Sequence, residues 1–133
     1  MLELGSLRVP VPAVMGILNV TPDSFSDGGR FFRPDAALRQ AAAMAEDGAS
    51  IIDIGGESSR PYADQVPVEV ELERVLPVIE TLAQRVVVPI SIDTAKAAVA
   101  RLALAAGAAM INDISALRHD PEMTGVAVEC GVP

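Results

Sequence analysis

Four short aliphatic runs recur along the chain, each ending at Asn or Asp and each followed by a loop and a stretch with helical spacing. They cover residues 14–20 with Asn19, 50–54 with Asp53, 88–93 with Asp93, and 109–114 with Asn112 and Asp113. Helical spacing follows over residues 35–47, 68–85, 94–106 and 121–129, and Gly48, Gly107 and Gly131 stand where helix-ending glycines belong. On residues 35–47, Leu38, Ala41, Ala42 and Ala45 share a face; on 68–85, Leu72, Val75, Leu76, Ile79 and Leu82 do. Pro77 is expected to kink or split that second helix. Strands that are apolar on both faces belong in a parallel sheet covered by helices, and strand–helix–strand crossovers in such a sheet are right-handed. The class is α/β. Residues 4–14, with Pro10 and Pro12, read as an extended lead-in or a small hairpin over one end of the fold, and Val132-Pro133 as the first residues of a fifth strand.

Two architectures satisfy this rhythm. A doubly wound open sheet calls for a G-x-G-x-x-G turn after the first strand, and none is present. A (β/α)8 TIM barrel calls for polar side chains at the carboxyl ends of its strands, around one pocket, and all four runs end that way. The barrel is preferred. It needs about 250 residues and eight units, so the expectation is its first half, (β/α)4, in one domain over residues 1–133.

Half the residues are apolar and aromatics are scarce, so the core is built from Ala, Val, Ile and Leu. The net charge of −8 argues against a nucleic-acid or membrane-surface partner, both of which need a basic face. A single cysteine, Cys130, cannot close an intrachain disulfide and is expected to be a small buried or half-buried apolar residue in a reducing compartment. No apolar run reaches membrane-spanning length and no signal pattern opens the chain, so a soluble cytoplasmic protein is expected.

Converging strand ends would bring Asn19, Asp53, Asp93 and Asn112 together, two carboxamides and two carboxylates that can pair the edge of a polar heterocycle. The plain alternative is that Asn and Asp begin turns and cap helices after strands. Two long loops leave the same face. The second, Gly55-Gly56-Glu57-Ser58-Ser59-Arg60-Pro61, combines backbone freedom, hydroxyls and a guanidinium that can meet phosphate with two parallel hydrogen bonds. The first adds Asp23, Ser24, Asp27, Arg30 and Arg33. Lys96 reads as a surface lysine, with a phosphate-facing role as the second reading, and His119 as a solvent-exposed turn residue. One His and one Cys leave no basis for a zinc site.

Two long motifs then carry a resemblance. Met15-Gly16-Ile17-Leu18-Asn19-Val20-Thr21-Pro22-Asp23-Ser24-Phe25-Ser26-Asp27-Gly28-Gly29 and Ile51-Ile52-Asp53-Ile54-Gly55-Gly56-Glu57-Ser58-Ser59-Arg60-Pro61 resemble the first two signatures of dihydropteroate synthases. Ile90-Ser91-Ile92-Asp93-Thr94 and Met110-Ile111-Asn112-Asp113-Ile114 resemble the strands that follow them. The resemblance implies a transferase of folate biosynthesis and a target of sulfonamides. Its members join p-aminobenzoate to 6-hydroxymethyl-7,8-dihydropterin diphosphate, giving 7,8-dihydropteroate and pyrophosphate. It implies that Asp93 and Asn112 hold the pterin edge, that Asn19 offers its amide oxygen to Mg²⁺, and that Ser59, standing where Thr is usual, contacts substrate near its diphosphate. Phe25, Asp27, Arg60 and Pro61 fall on loops that close over diphosphate and shape the p-aminobenzoate pocket, and Asp53 supports them from behind. A homodimer of the complete enzyme is implied as well. Tyr62 replaces a usual Gly, which stiffens the second loop. Methyltetrahydrofolate methyltransferases share the Asp and Asn strand ends but lack the Thr-Pro-Asp-Ser-Phe loop; they remain the alternative, beside a non-catalytic half-barrel.

The family's later active-site residues have no counterpart in these 133 residues, and a half-barrel has open strand edges that pair with whatever is available. The 133 residues alone are therefore expected to lack synthase activity and to associate. Light scattering and a pyrophosphate-release assay check this, and a stable, active monomer would contradict the half-barrel reading.

Overall fold

The computed structural model describes residues 1–22, 34–58 and 65–133. A hairpin of β1 (Leu2–Leu4) and β2 (Leu7–Val9) opens the chain, antiparallel with Leu4 opposite Leu7. Of the two forms expected for the lead-in, the hairpin is the one present. Its turn at Gly5 lies beside Pro133, so it sits at the amino ends of the strands that follow.

Those strands are β3 (Met15–Asn19), β4 (Ile51–Gly55), β5 (Ile90–Asp93) and β6 (Met110–Asn112), all parallel and in the order β3-β4-β5-β6. Helices α1 (Pro34–Glu46), α2 (Val68–Leu82), α3 (Ala97–Ala106) and α4 (Met123–Cys130) alternate with them. This is the expected (β/α)4 order. Ile111 N–H donates to Pro133 O at 3.0 Å, so the chain's last residue lies along the outer edge of β6, where a fifth strand was expected to begin.

Side chains alternate across the pleat, and burial shows which face meets the helices. Leu18, Ile54, Ile92 and Ile111 are register partners on that face and all are buried. They pack with Val75, Val78, Ile79 and Leu82 of α2 and Val99, Ala100 and Ala103 of α3 in one core. Each large aliphatic side chain so buried contributes about 1.5–3 kcal/mol. The other face of β3 is open, with Ile17 58% exposed.

Local chemistry moved several boundaries. α2 runs through Pro77 without splitting, and its buried stripe is Glu71, Val75, Val78, Ile79 and Leu82 rather than one containing Leu72 and Leu76. α3 begins at Ala97, not Thr94, because Thr94 Oγ1 accepts the Lys96 N–H at 3.1 Å in a turn of its own. The cap comes from elsewhere: Asp120 Oδ2, in the loop after β6, accepts the Ala97 N–H at 2.8 Å. That bond and a second from Glu122 N–H hold the Asp120 carboxyl below its ordinary value. Cys130 is exposed, against expectation, because it ends α4 beyond the packed residues Met123 and Val126.

Gly107 closes α3 at φ +128°, and a Cβ there would lie 2.6 Å from Ala83 Cβ. Gly107→Ala is expected to destabilise the fold by about 2–4 kcal/mol, from backbone strain and overlap together. Gly125, helical and with nothing within 4 Å of its Cβ position, should respond with the opposite sign. Gly125→Ala is expected to stabilise by about 0.5–1 kcal/mol, and urea midpoints of the two variants check the contrast.

Candidate functional site at the carboxyl ends of the strands

Strand register positions the site. Asn19 pairs with Gly55, Gly55 with Asp93, and Asp93 with Asn112, so four strands set these residues in one row on the face away from the helices. Ile17, Asp53, Ser91 and Met110 form the row beneath it. Gly55 is buried between Asn19 and Asp93, and a Cβ there would come within 3.3 Å of Asp93 Cβ and Oδ2, so a glycine leaves the Asp93 carboxylate its room.

The expectation that four polar strand ends meet is corrected in one member. β4 continues to Gly55, so Asp53 lies one pleat below the rim, 2% exposed. Its Oδ1 accepts a hydrogen bond from Ser91 Oγ–H, and its Oδ2 accepts Asn112 Nδ2–H at 3.1 Å. With its NH2 group bound to Asp53, Asn112 turns its amide oxygen away from that carboxylate. Asp53 thus orients Asn112 across the neck of the site. Asp113 does what the plain reading of Asp after strands foresaw. Its carboxylate accepts Ser115 N–H at 2.8 Å, Ser115 Oγ–H at 2.7 Å and Leu117 N–H at 3.1 Å, fastening a turn in which Ala116 and Leu117 have positive φ.

Carboxylates dominate the electrostatics. Burial raises the Asp53 carboxyl above its ordinary value, partly offset by the bonds from Ser91 and Asn112. Asp93 is pushed up to about 6, first by burial and then by the charges of Asp53, Glu71, Asp113 and Glu57. Near neutral pH it is an acceptor whose charge is poorly compensated, which favours ring N–H donors or a cationic partner.

Asp93, Thr94, Lys96, Glu57, Glu71 and Ser115 line a cleft of about 220 Å³. Lys96 is neither a surface lysine nor free for phosphate, the two readings its sequence position suggested. Its Nζ donates to Glu71 Oε2 at 2.7 Å and also to Glu57 Oε2. Burial pulls this ammonium down, and the two carboxylates more than offset it, leaving it above the ordinary lysine value. His119 is exposed at the rim, as expected.

Phe25, Asp27, Ser59, Arg60 and Pro61, and with them Asp23, Ser24, Arg30, Arg33 and Tyr62, lie outside the described residues. Sequence reasoning missed Ser91, Glu57 and Glu71 as members of the network. Ser91 was within reach, since it stands two residues before Asp93 on one strand and so shares its face. Glu71 also left a signal, occupying the helix position four before Val75 on a stripe that is otherwise apolar.

Comparison with known proteins places this geometry. The model of a family described as pterin binding enzyme matches residues 15–133. A dihydropteroate synthase from Bacillus subtilis is 58% identical over 120 residues, covering 90% of this chain and 42% of the relative. A structure of Xanthomonas albilineans dihydropteroate synthase with 4-aminobenzoic acid superposes with a TM-score of 0.85 at 54% identity, over 91% of this chain and 44% of that one. The same enzyme in complex with 7,8-dihydropteroate gives 0.83 at 50% identity, over 96% and 45%. The chain spans less than half the length of each of these proteins.

The raised Asp93 carboxyl has a stability consequence of definite sign. The folded state binds this proton more tightly than the unfolded state, so ionisation of Asp93 opposes folding. Nothing is lost below its ordinary value of 3.8, the penalty grows as pH rises toward 6, and it is complete above that. Asp93→Asn is therefore expected to match the parent near pH 3.5 and to be more stable by about 1–2 kcal/mol near pH 7.5, after discounting for partial exposure. Urea midpoints at the two pH values measure it, and a variant less stable at the higher pH would reverse the assignment.

Proposed function

Because the chain belongs to the pterin binding enzyme family, we propose that residues 1–133 supply the N-terminal half of a dihydropteroate synthase barrel. The whole protein then joins p-aminobenzoate to 6-hydroxymethyl-7,8-dihydropterin diphosphate, in a cytoplasmic homodimer with no nucleic-acid or membrane partner. Among the described residues no helix is long and apolar enough to cross a membrane. The observation that carries the reading is the register row of Asn19, Gly55, Asp93 and Asn112, with Asp53 orienting Asn112 from below. The names of the relatives support it, as does 4-aminobenzoic acid in one of the superposed structures.

In this reading the Asp93 carboxylate accepts hydrogen bonds from adjacent N–H groups on the amino edge of the pterin, and Asn112 meets the neighbouring edge. Binding two donors relieves the repulsion that Asp93 suffers from Asp53 and Glu71. The C–O bond from the pterin methylene to diphosphate breaks, and pyrophosphate leaves with the electron pair. Positive charge develops on the methylene carbon and spreads into the electron-rich ring, where the nearby carboxylates stabilise it. The p-aminobenzoate amine forms the new C–N bond and releases its proton to solvent. Positioning and electrostatics perform the reaction, without a protein nucleophile.

Asn19 fits a Mg²⁺ role by its chemistry. It is an exposed amide oxygen donor in the site row, and no three acidic, His or Cys side chains among the described residues form a metal cluster. A lone hard-oxygen ligand suits a cation that completes its shell with diphosphate and water. When bound there, Mg²⁺ would supply charge neutralisation to the departing pyrophosphate. Ser59, Phe25, Asp27, Arg60 and Pro61 complete the proposed site on the two loops. Sulfonamide inhibition belongs to the same proposal.

In the protein carrying the complete barrel, Asp93→Ala and Asn112→Ala are each expected to weaken dihydropterin binding by about five- to hundredfold. Each leaves buried ring donors or acceptors unpaired, at about 1–3 kcal/mol. Calorimetry with the dihydropterin measures this, and pyrophosphate release dependent on p-aminobenzoate tests the reaction. Unchanged affinity would remove the row from the pterin site, and no such release by the parent would remove the function.

A further inference from the structure

Three features around Lys96 are unfavourable taken singly. Its ammonium stands at the N-terminus of α3, where the helix dipole repels a cation. Its partner Glu71 is fully buried, and a buried ion pair contributes little that an apolar pair would not. Glu71 Oε1 is also buried and has no hydrogen-bond partner among the described residues. A stabilising role explains none of this. Position does, because the three charged groups come from three separate elements.

Glu57 lies two residues beyond the end of β4, Glu71 in the first turn of α2, and Lys96 three residues beyond Asp93 in the turn after β5. The turn holding Lys96 is itself fixed, by Thr94 Oγ1 on the Lys96 N–H and by Asp120 on the Ala97 N–H. Where the chain leaves β4, Gly56 O accepts Arg74 Nη1–H at 2.8 Å, which holds that exit against α2. The ammonium then ties the side chain of the next residue, Glu57, to the β5 exit.

We propose that Lys96 is a positioning residue that holds Glu57 and Ser58 at the rim of the cleft, in fixed relation to Asp93. This rests on the synthase reading, in which Ser59 and Arg60, next in sequence, act on the diphosphate. Lys96 touches neither pterin nor diphosphate. It acts by setting where the second loop starts, so its loss lowers turnover and leaves pterin affinity in place.

The test uses the complete enzyme. Lys96→Met combined with Glu71→Gln removes the cation together with the buried charge that would otherwise be stranded. Glu57→Gln breaks only the loop-side contact and leaves Lys96 on Glu71, which covers the case in which the double variant does not fold. Lys96→Arg keeps the charge. Both disruptive variants are expected to bind dihydropterin within twofold of the parent, to lose ten- to hundredfold in kcat, and to exchange the Gly56, Glu57 and Ser58 amide hydrogens faster. Lys96→Arg is expected to recover most of the lost kcat. A kcat within twofold of the parent in Glu57→Gln, or a parallel loss of pterin affinity, overturns the proposal. Amide exchange reads position without turnover, so an enzyme that does not make dihydropteroate would sink the functional reading while exchange still decides the role of Lys96. Unchanged exchange in both disruptive variants overturns it too.

Discussion

In-register pairing of parallel strands is the constraint from which this site follows. Parallel strands hold neighbours at a fixed step, and side chains alternate faces at every residue. Once Ile54 and Ile92 pair with their side chains in the core, Gly55 and Asp93 must pair on the opposite face. The same step places Asn19 at one end of the row and Asn112 at the other. A slip of one residue in β5 or β6 would bury Asp93 or Asn112 among the helices and expose Ile92 or Ile111. Hydrophobic burial therefore aligns the polar residues without any contact between them.

The core also offsets what the site costs. Asp53, Asp93 and Glu71 sit close enough that burial and mutual repulsion raise the Asp93 carboxyl. Such an arrangement opposes folding and persists only because aliphatic packing on the other face of the same strands exceeds it. Asp53 shows how the network limits that cost, since both its oxygens accept hydrogen bonds from groups that face it. Asp93 has no comparable set of donors among the described residues, and it is the carboxylate left for a ligand to satisfy.

The parts legible in the sequence were those with a period. Alternating aliphatic runs and helical stripes announced β3 to β6 and the four helices, and strand-end polarity announced Asn19, Asp93 and Asn112. Contacts between distant segments were not legible. Nothing near Ala97 indicates that Asp120, 23 residues later, will cap its helix. Lys96 looked like a surface residue because its partners are 39 and 25 residues away. Asp53 was misplaced by its polarity: it was read as a strand-end group, although the ladder runs on through Ile54 to Gly55 and Asp53 is bound by neighbours on β5 and β6.

Charge sign divides the proposed site into two poles. Among the described residues lining the cleft, Glu57 and Glu71 are bound to Lys96, and Asp93 is the carboxylate with no cation beside it. A free carboxylate attracts N–H donors and repels phosphate, so under the proposed function Asp93 suits the amino edge of a pterin and is unsuited to its diphosphate. A substrate carrying both groups would be oriented with the ring toward Asp93 and the diphosphate away from it. The cations for that second pole then have to come from other segments. Arg30, Arg33 and Arg60 follow β3 and β4 in sequence and are the cations that the proposed function assigns to that pole. With its ammonium bound to Glu57 and Glu71, Lys96 is not available to the diphosphate.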